Sequence, residues 1–171
     1  LFSRCSMAVN GTTKINYQGQ DIDLTPPFAR VSMNEAVRKV TGVDFYACET
    51  DEEAREKAKQ LKLEVKDKSA SRGKLLAEAF DAYVEERLTQ PTFIIDYPVE
   101  ISPLSKRKPS APHLTERFEL FIAGHEYANA FSELNDPVDQ RGRFTQQAYE
   151  RAQGADEARM LDEDYCSALE Y

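Results

Sequence analysis

Residues 116–137 read ERFELFIAGHEYANAFSELNDP, and this stretch decides the fold. Phe118, Leu120 and Ile122 alternate with Arg117, Glu119 and Phe121, the period of a strand with two unlike faces. Gly124-His125 lies near a turn. Beyond it, Tyr127, Asn129, Phe131 and Glu133 alternate with Ala128, Ala130 and Ser132, which predicts a hairpin. Asp136-Pro137 then starts a helix, as N-cap and first-turn proline.

The hairpin is unusual in its chemistry. Strands avoid glutamate, yet Glu119, Glu126 and Glu133 recur every seventh residue, with Asn129 and small alanines between them. Two readings follow. In one, the glutamates are solvated side chains of an edge hairpin. In the other, they form an acidic floor, with Ala128 and Ala130 leaving room for a ligand above it. Facing carboxylates repel unless a cation sits between them. Mg²⁺ takes one or two carboxylates together with substrate phosphates, and a further carboxylate can hold an organic ammonium. Register limits the second reading. A two-residue loop puts Glu119 and Glu126 on one face, with Asn129 and Glu133 on the other. A three-residue loop groups Glu119 with Asn129 and Glu133 and leaves Glu126 at the turn. All four converge only if a bulge or twist breaks strict alternation.

Working outward, residues 12–25 predict a second hairpin that turns at Gln18-Gly19 and ends at Pro26-Pro27. Ser32 and Glu35 form a capping box for a helix with Val37 and Val40 on its apolar face, stopped at Thr41-Gly42. Residues from about 47 to 90 read as a helical, charge-rich insertion. Thr50 and Glu53 cap its first helix, which turns Ala54, Ala58 and Leu61 to one face. Leu76, Ala79, Phe80, Tyr83 and Val84 line the second. Thr92 to Tyr97 is a buried strand ended by Pro98. The following loop, residues 99–112, carries Lys106-Arg107-Lys108, read as solvated. The helix after Asp136 is expected to reach Gly154 with Phe144, Ala148 and Ala152 inward. Asp162 caps a last helix carrying Tyr165 and Leu169. Antiparallel strands with helices between and around them predict an α+β fold.

Composition narrows the function classes. With 171 residues and a net charge of −8, the chain has the size of roughly one domain and lacks the basic field of a free-standing nucleic-acid module. Three scattered cysteines, no C-x-x-C and two histidines disfavour a disulfide framework or a zinc site. No apolar run suffices to span a bilayer, and LFSRCSMAVNG lacks the pattern of a signal peptide, so a cytoplasmic location is expected. Both ends look cut, which predicts a piece of a longer protein.

The stretches FELFIAGHEYANAFSELNDPVDQRGRF, DEDYCSALEY, DIDLTPPFARVSMNEAV and PTFIIDYPVEISPLSK resemble the class II lysyl-tRNA synthetases, in collinear order over essentially the whole chain. The resemblance implies that residues 1–171 are part of a catalytic domain built on an antiparallel sheet flanked by helices. It implies ATP-dependent formation of lysyl-adenylate and transfer of the lysyl group to tRNA(Lys), with lysine, ATP and Mg²⁺ bound and a homodimer as the parent. By motif position, Glu119 and Glu126 resemble the metal- and ATP-associated carboxylates. Asn129 and Glu133 resemble lysine-pocket residues, and Phe131 a neighbouring aromatic position. Asp96, Ser102, Asp23 and Thr25 are assigned structural roles. The family's ATP-clamping arginine motifs are not matched in this stretch, so no residue is assigned as catalytic and the isolated stretch is expected to be inactive. Two alternatives stay open: a paralogue that lysylates a protein, and a non-catalytic acidic interaction module.

Overall fold

The computed structural model describes all residues except 66, 68, 69 and 153–161. A four-stranded sheet organises it, in the order β3-β4-β7-β8. Strand β3 is Ala29–Ser32, β4 is Thr92–Ile95, β7 is Arg117–Ile122 and β8 is His125–Phe131. β4–β7 and β7–β8 are antiparallel, as the alternation predicts, whereas β3 runs parallel to β4. A parallel pair needs a long crossover, and the helical stretch supplies it. The crossover runs from α2 (Met33–Thr41) into that stretch, which holds α3 (Asp51–Gln60) and α4 (Arg72–Tyr83).

Local chemistry sets the helix starts. Ser32 Oγ accepts from the Glu35 amide at 3.2 Å, and Thr50 Oγ1 accepts from the Glu53 amide at 3.2 Å. Each satisfies an amide that the first helical turn leaves without a carbonyl. Gly42 ends α2 in the left-handed conformation. Val37 is buried on α2, but Val40 lies near its surface. The helices turn Val37, Ala54, Ala58, Leu76, Ala79 and Phe80 into one core that meets the sheet at Ile94 and Phe121. The helical stretch therefore shares its core with α2 and one face of the sheet.

The opposite face carries Leu120 and Ile122. It is covered by Ile22 and Leu24 of the hairpin β1 (Lys14–Tyr17) and β2 (Gln20–Asp23), together with Phe2 of α1 (Phe2–Asn10). That hairpin turns at Gln18-Gly19 as predicted, both residues having positive φ. Helix α1 was not anticipated.

Between β4 and β7 the chain is ordered by ion pairs. A short β5 (Arg107–Lys108) pairs with β6 (Ala111–Thr115). The basic run is not a solvated loop at two of its three positions. Arg107 Nε lies 2.8 Å from Asp139 Oδ2, and Lys108 Nζ lies 2.5 Å from Asp96 Oδ1. Asp139 belongs to α5 (Pro137–Ala152), whose first-turn amides at Val138 and Asp139 donate to Asp136 Oδ1. Phe144 of α5 is buried and Ala148 half-buried, while the expected end at Gly154 lies outside the described residues, as does the side chain of Ala152. Asp162 accepts from the Tyr165 amide and caps α6 (Glu163–Ala168).

Candidate functional site

The acidic hairpin is built by two backbone devices. Ala123 and Gly124 form a two-residue turn, with φ of 54° and 74°. Such turns match the right-handed twist of the flanking strands. The turn is also gripped from outside: the Ala123 amide donates to Thr89 O and the Gly124 amide to Leu88 O. A Cβ on Gly124 would stand 3.1 Å from Glu86 O, so glycine answers both the positive φ and the close approach.

The second device is a bulge. Ile122 faces His125 and Phe121 faces Glu126, but Leu120 faces Ala128. Tyr127 is the extra residue. It turns toward the other face, where its ring meets Phe2 edge-on at 5.9 Å. After the bulge, Glu119 stands opposite Asn129 and Arg117 opposite Phe131. Residues directly opposite in a sheet project to the same side. Glu119, Glu126, Asn129 and Phe131 therefore share one face despite the two-residue turn. The alanines do not: Ala128 and Ala130 stand opposite Leu120 and Phe118, and Ala128 packs on the other apolar cluster. The expectation that they open room above the acidic floor is corrected, because the bulge reverses their side relative to Glu126.

Glu119 is 8% exposed and bonded at both oxygens. Oε1 accepts from Arg117 Nη2 at 2.5 Å and from Asn129 Nδ2 at 3.1 Å, and Oε2 accepts from the Tyr97 hydroxyl at 2.7 Å. Burial, then the Glu119 charge, push the Tyr97 hydroxyl above its ordinary value, so it stays a proton donor. Glu126 is exposed but close enough to feel Glu119. Partial desolvation and then repulsion from Glu119 raise its carboxyl, against opposing pulls from Arg117 and a hydrogen bond with Asn129. Phe131 is 36% exposed at the end of β8. Glu133 is exposed just past β8, its backbone bridged to Ser105. Among the described contacts, its carboxylate does not join the Glu119 cluster.

Sequence reasoning missed two members of the site. Arg117 precedes Glu119 by two residues, and that spacing along a strand was the available signal. Tyr97 comes from the exit of β4, twenty-two residues away, and left no signal in the hairpin itself. Asp96, Ser102, Asp23 and Thr25 take part in local bonding: Asp96 pairs with Lys108, Ser102 Oγ accepts from Arg117, and Asp23 accepts from the Thr25 amide.

The donor set suits magnesium. Among the described residues no group of three or more His, Cys, Asp or Glu gathers as a metal site. Mg²⁺ does not need one, since one or two carboxylates suffice beside phosphate oxygens and water. Arg117 and Asn129 offset only part of the repulsion that Glu119 exerts on Glu126, and a cation between the two carboxylates would offset more of it.

The sheet, the acidic hairpin and its motifs place the chain in a family of class II synthetases: it belongs to the tRNA synthetases class II (D, K and N), matched over residues 1–171. It is similar to three proteins named lysine–tRNA ligase. The one from Thermoanaerobacter pseudethanolicus is 55% identical over 170 residues, covering 99% of this chain and 34% of the relative. That from Moorella thermoacetica is 58% identical over 161 residues, 94% of this chain and 33% of the relative. That from Clostridium acetobutylicum is 56% identical over 164 residues, 95% of this chain and 32% of the relative. The chain thus spans about a third of the length of these curated relatives.

Proposed function

We propose that this chain forms part of the catalytic domain of a lysine–tRNA ligase, with residues from about 47 to 90 as a helical insertion within that domain. The observation that supports it is the bulge at Tyr127, which sets Glu119, Glu126 and Asn129 on one face in a chain 55% identical to a protein of that name. In this reading the protein activates lysine with ATP as lysyl-adenylate and passes the lysyl group to tRNA(Lys). It works in the cytoplasm, as a homodimer.

Glu119 and Glu126 would hold Mg²⁺ on the face where ATP binds. The ion, when bound, neutralises charge developing on phosphate oxygens. Asn129 both donates and accepts, so it can bridge polar atoms of lysine and of the chain. Glu133 pairs with the ε-ammonium, and Phe131 walls the aliphatic stem. Glu133 is exposed in this chain, so the selection arises as the bound amino acid covers it. A neutral side chain would then leave the carboxylate without a partner, at a cost of roughly 2–5 kcal/mol once that pair is shielded from water. That discriminates by on the order of 10² or more.

The test is lysine-dependent exchange of pyrophosphate into ATP by the full-length protein. Exchange with lysine, lost by about 10² in Glu133→Gln, is expected. Exchange driven equally by neutral amino acids, or no exchange and no change in thermal midpoint with lysine, ATP and Mg²⁺, would refute the reading.

A further inference from the structure

We propose that Arg117 is a positioning residue of this site, holding Glu119 and Asn129 as one pre-formed pair; this rests on the lysine-activating reading. The guanidinium reaches four partners on three segments. Nη2 donates to Glu119 Oε1 at 2.5 Å, and Nε donates to Asn129 Oδ1 at 3.3 Å. Nη1 donates to Ile101 O at 3.1 Å and to Ser102 Oγ at 3.0 Å. Its carbon stands 4.6 Å from the centre of the Tyr97 ring, whose hydroxyl takes the other oxygen of Glu119. Tyr97 and Arg117 together thus fix both carboxylate oxygens.

The same contacts orient Asn129. Its oxygen faces Arg117 and its nitrogen faces Glu119. A flipped amide would set nitrogen against guanidinium and oxygen against carboxylate, two repulsive contacts in place of two bonds. The side chain of Arg117 is 17% exposed and its bonds to Glu119, Ile101 and Ser102 are partly buried, whereas the bond to Asn129 lies at the exposed edge, so the buried contacts anchor the fork that orients the amide. Its anchor is itself held. Arg143 Nη1 donates to Ser102 O at 3.0 Å and to Ser105 O at 2.6 Å, and Asp139 of α5 holds Arg143. A bonded path therefore runs from α5 through Ser102 and Arg117 to Asn129.

A planar fork is needed here. Lysine keeps the charge beside Glu119, but a single ammonium cannot also reach Asn129 Oδ1, Ile101 O and Ser102 Oγ. Arg117→Lys should therefore separate charge from orientation, and Arg117→Met should remove both.

The experiment uses the full-length protein, with active sites counted by titration, and measures KM for lysine and for ATP in pyrophosphate exchange. For Arg117→Lys we expect KM for lysine to rise about tenfold while KM for ATP stays within about twofold, because the charge beside Glu119 is kept. Arg117→Met should raise both. A crystal structure of Arg117→Lys should show the Asn129 amide turned or disordered. KM for lysine unchanged in both variants, or a fall only in the fraction of active sites, would overturn the proposal, as would an Asn129 amide left in place. If the unaltered protein shows no lysine-dependent exchange, the functional reading fails instead, and the Asn129 conformation in the variant crystal still decides the positioning claim.

Discussion

Replacing Glu119 by glutamine removes one negative charge and keeps the shape of the side chain. The amide can turn its oxygen to Arg117 and Asn129 and its nitrogen to the Tyr97 hydroxyl, which can accept, so all three hydrogen-bonded contacts survive. What is lost is the counter-charge of a guanidinium only 17% exposed. Breaking a fully buried pair costs about 3–5 kcal/mol, and bonds to charged groups contribute about 1.5–3 kcal/mol. Because the neutral bonds remain and Tyr97 still stacks on Arg117, about 2–3 kcal/mol is expected for Glu119→Gln. The loss is local, so amide hydrogen exchange over β7 and β8 in the intact protein is the suitable readout. Exchange in residues 117–131 should accelerate by about 30- to 150-fold. Glu126, freed of one repelling neighbour, should titrate at lower pH in the same variant. An acceleration under about threefold, with Glu126 unmoved, would show that Glu119 is not the centre of the cluster.

Two further predictions concern pH. Burial alone would raise the Asp139 carboxyl, but hydrogen bonds from Arg143 and Arg107 outweigh it and hold it well below the usual range. Its stabilising contribution is therefore present above about pH 4 and is lost as pH falls through the depressed value. Asp139→Asn leaves Arg143, 6% exposed, without its counter-charge and should cost about 2–3 kcal/mol in urea unfolding at pH 7, the difference shrinking below pH ~4. Asp81 has the opposite sign. Desolvation, then Glu85, Glu119 and Glu78, push it up to about 6. Its protonated form favours the fold below about pH 4, and that contribution is lost as pH rises through about 6. Asp81→Asn should raise the thermal midpoint at pH 7–8 and leave it nearly unchanged near pH ~4. Because Asp81 is partly desolvated yet more than a third exposed, solvent screens the effect and the gain should be only about 0.5–1 kcal/mol.

What the sequence revealed was the chemistry of short range. The caps at Ser32, Thr50 and Asp162 were legible because a cap and its amide lie within three residues of each other. The hairpins were legible because alternation and turn residues are local. The parallel pairing of Ala29–Ser32 with Thr92–Ile95 was not, since its partners lie about sixty residues apart and four-residue strands carry little pattern. Arg107 and Lys108 looked solvated because Asp139 and Asp96 reach them only through the fold. The bulge was named as the condition for convergence, but its place was not readable. Nothing in HEYANAF marks Tyr127 as the unpaired residue until Phe2 and the other face are present to receive it. That single offset also explains why Ala128 and Ala130 were assigned to the wrong side.

The most direct check of the acidic face is metal-specific scattering. Crystals of the full-length protein grown with lysine, a non-hydrolysable ATP analogue and Mn²⁺ in place of Mg²⁺ should show an anomalous peak in contact with the carboxylates of Glu126 and Glu119, with Asn129 and Glu133 turned to the amino acid. Manganese bound elsewhere on the nucleotide, with Glu119 and Glu126 touching neither metal nor ligand, would contradict the account.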